Sequence, residues 1–169
     1  QETITQLQQF STQAREEGLL ELAMEAAIIC GGKLAVLGKH QESVELLKKT
    51  LAESQSKDLV EIISLASLNL ANAYTFSGEF YESAKWCDKA ISFQRRHNLH
   101  THICYTYTTL SAIYILLDYY YKAIENLNNL LEISRIHGED TRVVAPAYGN
   151  LLECYSNMGD QESIQHTLH

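Results

Sequence analysis

The sequence predicts an all-α protein that is built from stacked antiparallel helix-turn-helix hairpins. Apolar residues recur three and four positions apart, as in Leu59, Ile62 and Ala66, and strict alternation is absent, so helices are favoured and almost no strand is expected. The chain also repeats itself at an offset of 40 residues, for example from Leu34 to Tyr74. A period of about 20 to 50 residues is typical of a stacked array.

The repeat is visible as columns of equivalent residues along most of the chain. It extends backwards to Ile4 and Leu7, and forwards, with a shift of one residue, to Leu151 and Tyr155. Each hairpin can bury only part of its apolar surface alone, so stability is expected to come from stacking. The clearest columns are Leu34, Tyr74 and Tyr114; Gly38, Gly78 and Asp118; Ser43, Ser83 and Ala123; and Leu47, Cys87 and Leu127.

Turn residues divide the chain into helices. Gly38, Gly78, Asp118 and Gly159 are expected to adopt the left-handed backbone that closes a helix. Short polar residues near 56–58, 97–98 and 138–140 are expected to cap the next helix. The predicted helices are 2–17, 19–37, 40–56, 58–77, 80–97, 99–117, 119–137, 141–158 and 161–168.

Small residues mark where the two helices of each hairpin should cross. Gly31, Ala71 and Ser111 lie on the first helices, facing the Ser43, Ser83 and Ala123 column on the second, so the helix axes can approach closely. The single proline, Pro146, predicts either a kink or a late start for its helix.

These residues resemble the signature of the tetratricopeptide repeat (TPR) family. The resemblance is carried by segments 70–74, 78–80 and 83–84 with Ala90, and again by Tyr114, 118–120, 123–124 and Leu127. It implies a single TPR-like domain over 1–169, folded as a right-handed superhelix. Its parts are a half repeat at 1–17, repeats at 19–57, 58–97 and 98–138, and a partial repeat at 139–169, which we expect to belong to a longer protein.

The repeats depart from the family pattern in their length. The familiar unit has about 34 residues and often a proline at the end of its second helix, where this chain has Gln55, Arg95 and Arg135. Without that proline the helices can be longer. Such long repeats are similar to those of Leu-Gly-Asn-rich cell polarity proteins and of bacterial transcriptional regulators, and the sequence does not choose between these groups.

Composition and charge exclude several classes of function. The formal net charge is −8, with 13 basic and 21 acidic residues, so the basic surface that nucleic acid binding needs is missing. No apolar stretch reaches the roughly 18 residues of a membrane span. The four cysteines lie in helical apolar patterns, as small buried residues do in a reducing compartment, so cytosol or nucleus is expected, with the cytoplasm preferred.

The family resemblance implies a binding groove along the first helices of successive hairpins. In that family the groove receives an extended peptide or a partner helix, and Asn72 is the residue most expected to contact a bound backbone. Chaperone-tail binding is not expected, because the basic positions of that subset are Leu68, Thr109, Pro146 and Asn150 here. The groove residues are Leu65, Leu68, Asn69, Asn72, Thr75, Phe76, Tyr105, Thr108, Thr109, Ala112, Leu116, Glu153 and Asn157.

Two residue clusters have the composition of sites of a different kind. The tyrosines at 105–121 could be anchors for a partner, but Tyr114 and Tyr120 are expected in the core, with Tyr105 and Tyr119 undecided. His97, His100, His102 and Cys104 could ligate a metal, yet their spacing matches no established zinc motif, so neither metal nor cofactor is expected.

The leading hypothesis is therefore a noncatalytic protein-interaction module, a scaffold whose groove binds a peptide or helix for complex assembly. No phosphate-binding loop or nucleophile motif is present. The rival is a ligand- or peptide-sensing regulatory domain of a larger signalling protein or transcriptional regulator. Exposed terminal repeats also make a homodimer conceivable.

Overall fold

The computed structural model describes residues 2–138 and 141–168, with the side chains of Thr141 and Leu168 excluded, and these residues form nine helices without a strand. The helices are α1 (Glu2–Glu16), α2 (Leu20–Val36), α3 (His40–Ser56), α4 (Val60–Phe76), α5 (Phe80–Arg96), α6 (His100–Leu116), α7 (Tyr120–His137), α8 (Thr141–Met158) and α9 (Gln161–Leu168). Every predicted helix end lies within two residues of the observed one. The predicted fold class is thus confirmed.

The helices pack as consecutive hairpins in two compact units, one up to Ala90 and one from Ile91. In the first unit α2 packs against α1, α3 and α4, and fully buried Met24, Leu47 and Leu70 form much of its core. In the second unit α6 packs against α7 and α8 around residues such as Ile113 and Leu127. Burial of each such side chain contributes about 1.5 to 3 kcal/mol, so stacking is the main source of stability.

The turns confirm one expectation and correct another. Gly38, Gly78, Asp118 and Gly159 all have positive φ, between 59° and 80°, as predicted for residues that close a helix. Asp58 and Asn98 were expected to cap the following helix but instead have φ of 54° and 56° and close the preceding one. The actual N-caps are Leu59 and Leu99, which make no side-chain capping hydrogen bond. The expected cap at 139–140 lies outside the described residues.

The structure corrects one of the two predictions made for the helix that contains Pro146, which is α8. The helix starts at Thr141 and contains Pro146 in its second turn, so a late start is wrong. Proline has no N–H to contribute to the helix at this position. Among residues 2–138 and 141–168, no helix contains an apolar segment that could span a membrane.

Candidate functional site

Hydrogen bonds between small residues hold the first helix against the second in the hairpins α2–α3, α4–α5 and α6–α7. The Ser43 hydroxyl donates to the carbonyl oxygen of Gly31 at 2.7 Å. A Cβ on Gly31 would lie only 2.7 Å from the Leu47 side chain, so α2 and α3 are as close as the sequence allows. The predicted crossing of small residues is therefore present between α2 and α3.

In the first unit, the predicted groove residues of α4 form a partly exposed face beside α2. Leu65, Leu68, Asn69 and Asn72 are half-buried, whereas Phe76 is 54% exposed. The Asn69 amide nitrogen donates to the Leu65 carbonyl oxygen at 2.9 Å. Its Oδ1 lies 3.2 Å from the Cβ that Gly32 lacks, so Asn69 sits directly against α2. This geometry keeps the Asn69 side chain in one orientation.

Sequence reasoning missed the contribution of α2 to this face. Ile29 and Val36 are 53% and 63% exposed, and they precede Asn69 and Phe76 by one period of 40 residues. The repeat itself was thus the signal that could have found them. We define the first-helix face as Ile29 and Val36 of α2 with Leu65, Leu68, Asn69, Asn72 and Phe76 of α4.

The hydroxyl of Thr75 points toward α5 rather than to the first-helix face. It lies 2.8 Å from the Ser83 hydroxyl of α5 and 3.2 Å from the Ala71 carbonyl oxygen. A hydroxyl engaged in the hairpin contact has fewer opportunities to meet a ligand, so Thr75 is left out of the first-helix face.

In the second unit, the predicted groove residues lie on α6 and α8. Tyr105, Thr108, Thr109 and Ala112 are half-buried, and Leu116 is 61% exposed. The hydroxyls of both threonines donate to carbonyl oxygens one turn earlier, at 3.0 and 3.4 Å. Because each hydroxyl is bonded to its own helix, the two threonines would present mainly their methyl groups to a ligand.

The two residues predicted on α8 are exposed and are neighbours on one helical turn. The amide nitrogen of Asn157 donates to the carbonyl oxygen of Glu153 at 3.0 Å. Nearer the start of α8, the Arg142 guanidinium lies 6.0 Å from the ring centroid of Tyr105, within the range of a cation–π contact. The second unit therefore contains a charged and an aromatic side chain, Arg142 and Tyr105, close to each other.

The tyrosines are distributed differently from expectation. Tyr114 and Tyr120 are half-buried rather than core residues, while Tyr107 is only 4% exposed. Tyr119, which was undecided, is 56% exposed, and its ring centroid is 6.4 Å from that of Tyr114. Tyr107 lies on the side of α6 that faces α5, and Arg95 of α5 donates a hydrogen bond to its hydroxyl at 2.6 Å.

The histidines and the buried thiol near α6 do not converge on one point. The His97 ring contacts the Phe93 ring at a tilt of 33°, and His100 stacks on His137 with ring centroids 3.5 Å apart. The Cys104 sulfur lies 3.6 Å from the Ser134 hydroxyl. Within the described part of the chain, no three His, Cys, Asp or Glu side chains are placed to hold a metal ion.

All four cysteines are free and buried. Burial raises the pKa of Cys87 to about 12 and that of Cys154 to about 11, because the thiolate would lose its hydration. Burial also raises the pKa of Cys30. Cys30, Cys87 and Cys154 are therefore neutral packing groups at physiological pH.

The hairpin stacking and the 40-residue period define a TPR-like helical-repeat protein, and comparison with solved structures agrees. The chain is similar to BtubC (BKLC) from P. vanneervenii, with a TM-score of 0.81 and 19% identity over 98% of this chain and 69% of that one. It is also similar to the TPR-like repeats of a putative kinesin light chain from Podosopora anserina, with a TM-score of 0.63 and 18% identity over 98% and 91% of the two chains. No protein-family model and no curated protein matches the sequence.

Proposed function

We propose that this chain is a noncatalytic protein-interaction module whose first-helix face binds a peptide or an amphipathic helix of a protein partner. The observation that carries the proposal is the exposure of Ile29, Val36 and Phe76. Large apolar side chains that share one exposed face are typical of interaction sites. TPR-like folds in general serve as protein-interaction scaffolds, which is consistent with this assignment.

The face combines apolar anchors with amides, as a peptide site requires. Ile29 and Val36 are seven residues apart on α2, so they lie on one side of that helix and can pack against one ligand surface. Asn69 and Asn72 lie one turn apart on α4. The Asn69 amide already donates one hydrogen bond to Leu65, but an amide has two N–H donors and an oxygen acceptor, so it can still pair with a bound backbone. Apolar burial would supply affinity, and the amides would select the register.

The sequence also bears on the type of partner, the cellular compartment and the role of the protein. The partner is not expected to be a C-terminal carboxylate, because Leu68 and Asn150 are uncharged where a clamp would need basic side chains. Four buried free cysteines favour a reducing compartment such as the cytoplasm. The proposed role is assembly of a complex.

The proposal can be tested with a phage-displayed library of random peptides about 16 residues long, which form up to four helical turns. Peptides selected on the wild type should bind the Val36→Glu, Phe76→Glu double variant at least about tenfold more weakly, measured by fluorescence polarisation. The matched control is the Ala52→Glu, Tyr81→Glu double variant, which adds the same charges at exposed positions of α3 and α5.

The control variant should bind the selected peptides within about twofold of wild type. Circular dichroism verifies that both variants remain folded. Equal binding to the two double variants, or a selection that yields no peptide, would show that the first-helix face is not the binding site.

A sensing domain remains the second candidate, and one observation favours it: a cleft in the first unit that is large enough for a small molecule. A ligand held there would contact three helices and so bias their packing. A thermal shift of the folded domain on addition of the ligand would be its signature.

A further inference from the structure

A cleft of about 500 Å³ opens between α1 and α3, over α2. Its floor includes Ala27, Cys30 and Thr50, all buried. Leu7 and Leu46 form apolar walls and pack against the cluster around Cys30. We refer to this space as the α1–α3 cleft.

Charged side chains stand at the edge of the α1–α3 cleft. The Arg15 guanidinium donates two hydrogen bonds to the Glu53 carboxylate, at 2.6 and 2.8 Å, and so bridges α1 and α3. Lys49 adds a second positive charge to the lining. A guanidinium has five N–H groups, so Arg15 has donor capacity beyond the two bonds to Glu53.

The repeat explains why this space is open. Position 27 is Ala here, but Ser67 and Tyr107 stand at the equivalent positions one and two periods later. Cys30 likewise corresponds to Leu70 and Leu110. The first repeat therefore carries small residues where later repeats carry larger ones, and the missing side-chain volume leaves a cleft.

The second unit shows what fills the equivalent space. Arg95 and Tyr107 occupy the positions of Arg15 and Ala27, 80 residues further along the chain. Tyr107 is 4% exposed, and its hydroxyl accepts a hydrogen bond from Arg95 Nη2 at 2.6 Å. The second unit thus places a phenol ring beneath its arginine, where the first unit has Ala27, and it has Ile133 at the position of Glu53.

We propose that the α1–α3 cleft binds a small neutral phenol, which takes the place that a tyrosine side chain holds beside Arg95. The ring would lie over Ala27 between Leu7 and Leu46, and the hydroxyl would accept from Arg15 and donate to Glu53. A cavity of about 150 Å³ suffices for benzene in an engineered protein, so the volume is ample. The site shares no residue with the first-helix face and does not depend on the proposed function.

Glu53 makes the proposal selective. A carboxylate only accepts hydrogen bonds, so it can pair with a phenol hydroxyl but repels an aromatic carboxylate. Arg15 in turn favours a ligand with an oxygen acceptor over a plain hydrocarbon. The α1–α3 cleft should therefore prefer p-cresol, the tyrosine side chain itself, to both toluene and 4-methylbenzoate.

The test is a titration of the ¹⁵N-labelled domain with each of these three probes, followed by amide chemical shifts. We expect saturable p-cresol shifts centred on Ala27, Cys30 and Thr50, with half-saturation at about 1 mM or below. Toluene should bind about fivefold more weakly, because it lacks the hydrogen bonds of the hydroxyl. Glu53→Gln should raise the affinity for 4-methylbenzoate above that for p-cresol, since Arg15 and Lys49 then face no carboxylate.

Filling the cleft supplies the decisive control. Ala27→Phe should abolish the p-cresol shifts, whereas Glu25→Phe, which adds the same ring at an exposed position of α2, should leave them unchanged. If circular dichroism shows that Ala27→Phe is unfolded, Leu46→Trp replaces it, because Trp86 stands one period later. Non-saturable shifts in the wild type, unchanged shifts in a folded filled variant, or equal affinity for all three probes would overturn the proposal.

Discussion

The Ser83 hydroxyl donates a hydrogen bond to the carbonyl oxygen of Ala71 across 2.6 Å, and this bond joins the two helices of one hairpin, α4 and α5. Forty residues earlier, Ser43 makes the same bond to Gly31. In the third hairpin the serine has changed sides, since the Ser111 hydroxyl lies 3.5 Å from the Ala123 carbonyl oxygen. Each of these three hairpins thus keeps one small hydroxyl at its crossing point.

Ser83→Ala should destabilise the protein by about 1 to 2 kcal/mol, because the substitution removes a fully buried donor that contacts Ala71 and Thr75. Urea denaturation measures the change. Ser56→Ala is the matched control: its hydroxyl makes a comparable 2.7 Å bond, but at an exposed helix end, so less than about 0.5 kcal/mol is expected. Equal losses for the two variants would contradict a special role for the crossing point.

Gly31→Ala should destabilise by about 1 to 3 kcal/mol, because the new methyl group would lie 2.7 Å from the buried Leu47 side chain. Gly149→Ala in α8 is the control, since a methyl group added there would meet no side chain and no neighbouring helix within 4 Å. The control should stabilise by about 0.5 to 1 kcal/mol, through helix propensity alone. Thermal denaturation of both variants tests the opposite signs, and the same sign for both would refute the packing argument.

Asn98→Gly should stabilise the turn between α5 and α6 by about 0.5 kcal/mol, since Asn98 has a φ of 56° and glycine adopts this backbone without steric cost. Asn98→Ala should have the opposite effect, by about 1 kcal/mol. Thermal denaturation distinguishes the two. Gains from both substitutions would mean that the Asn98 side chain, rather than its backbone, sets the stability of this turn.

The Arg15–Glu53 pair predicts a pH dependence of stability. The hydrogen bonds from Arg15 hold the pKa of Glu53 below its ordinary value. A carboxylate with a lowered pKa stabilises the fold above the ordinary value near 4.3, and this contribution disappears as the pH falls through the lower folded pKa. The two side chains are 38% and 26% exposed, so the pair should contribute only about 0.5 to 1 kcal/mol at pH 7.

Glu53→Gln should accordingly be less stable than wild type at pH 7 and equal to it near pH 2 to 3, in urea denaturation at each pH. Glu82→Gln breaks the exposed pair with Lys85 on a single helix and should change stability by less than about 0.5 kcal/mol. A difference between wild type and Glu53→Gln that persists undiminished at low pH would rule out the ion pair as its cause.

The thiols should be almost inert in the folded protein. Because burial raises the pKa of Cys87 to about 12 and that of Cys154 to about 11, very little thiolate exists at pH 8. A disulfide reagent such as DTNB should therefore react at the rate of unfolding, and all four sites should become reactive in denaturant. Rapid labelling of one cysteine in native buffer would show that its helix opens locally.

The sequence predicted the part of the first-helix face that lies on α4, but not the part that lies on α2. The resemblance to the TPR family, and not periodicity alone, predicted a binding face on α4. The 40-residue repeat relates Ile29 and Val36 of α2 to Asn69 and Phe76, but α2 is apolar on nearly every side, so its exposed residues do not stand out in the sequence. The direction of the Thr75 hydroxyl toward Ser83 was not predictable, since it depends on the crossing of α4 and α5.

The sequence by itself determined the nine described helices and their hairpin order, since local spacing and turn residues govern both. The tertiary structure alone decided which side chains meet across helices. Arg15 pairs with Glu53, 38 residues away, and Arg95 with Tyr107, although both arginines occupy the same repeat position. The position equivalent to Glu53 in the second unit is Ile133, so Arg95 has no carboxylate there and bonds to the tyrosine beneath it instead. Only the packing of the helices brings each of these partners within reach of its arginine.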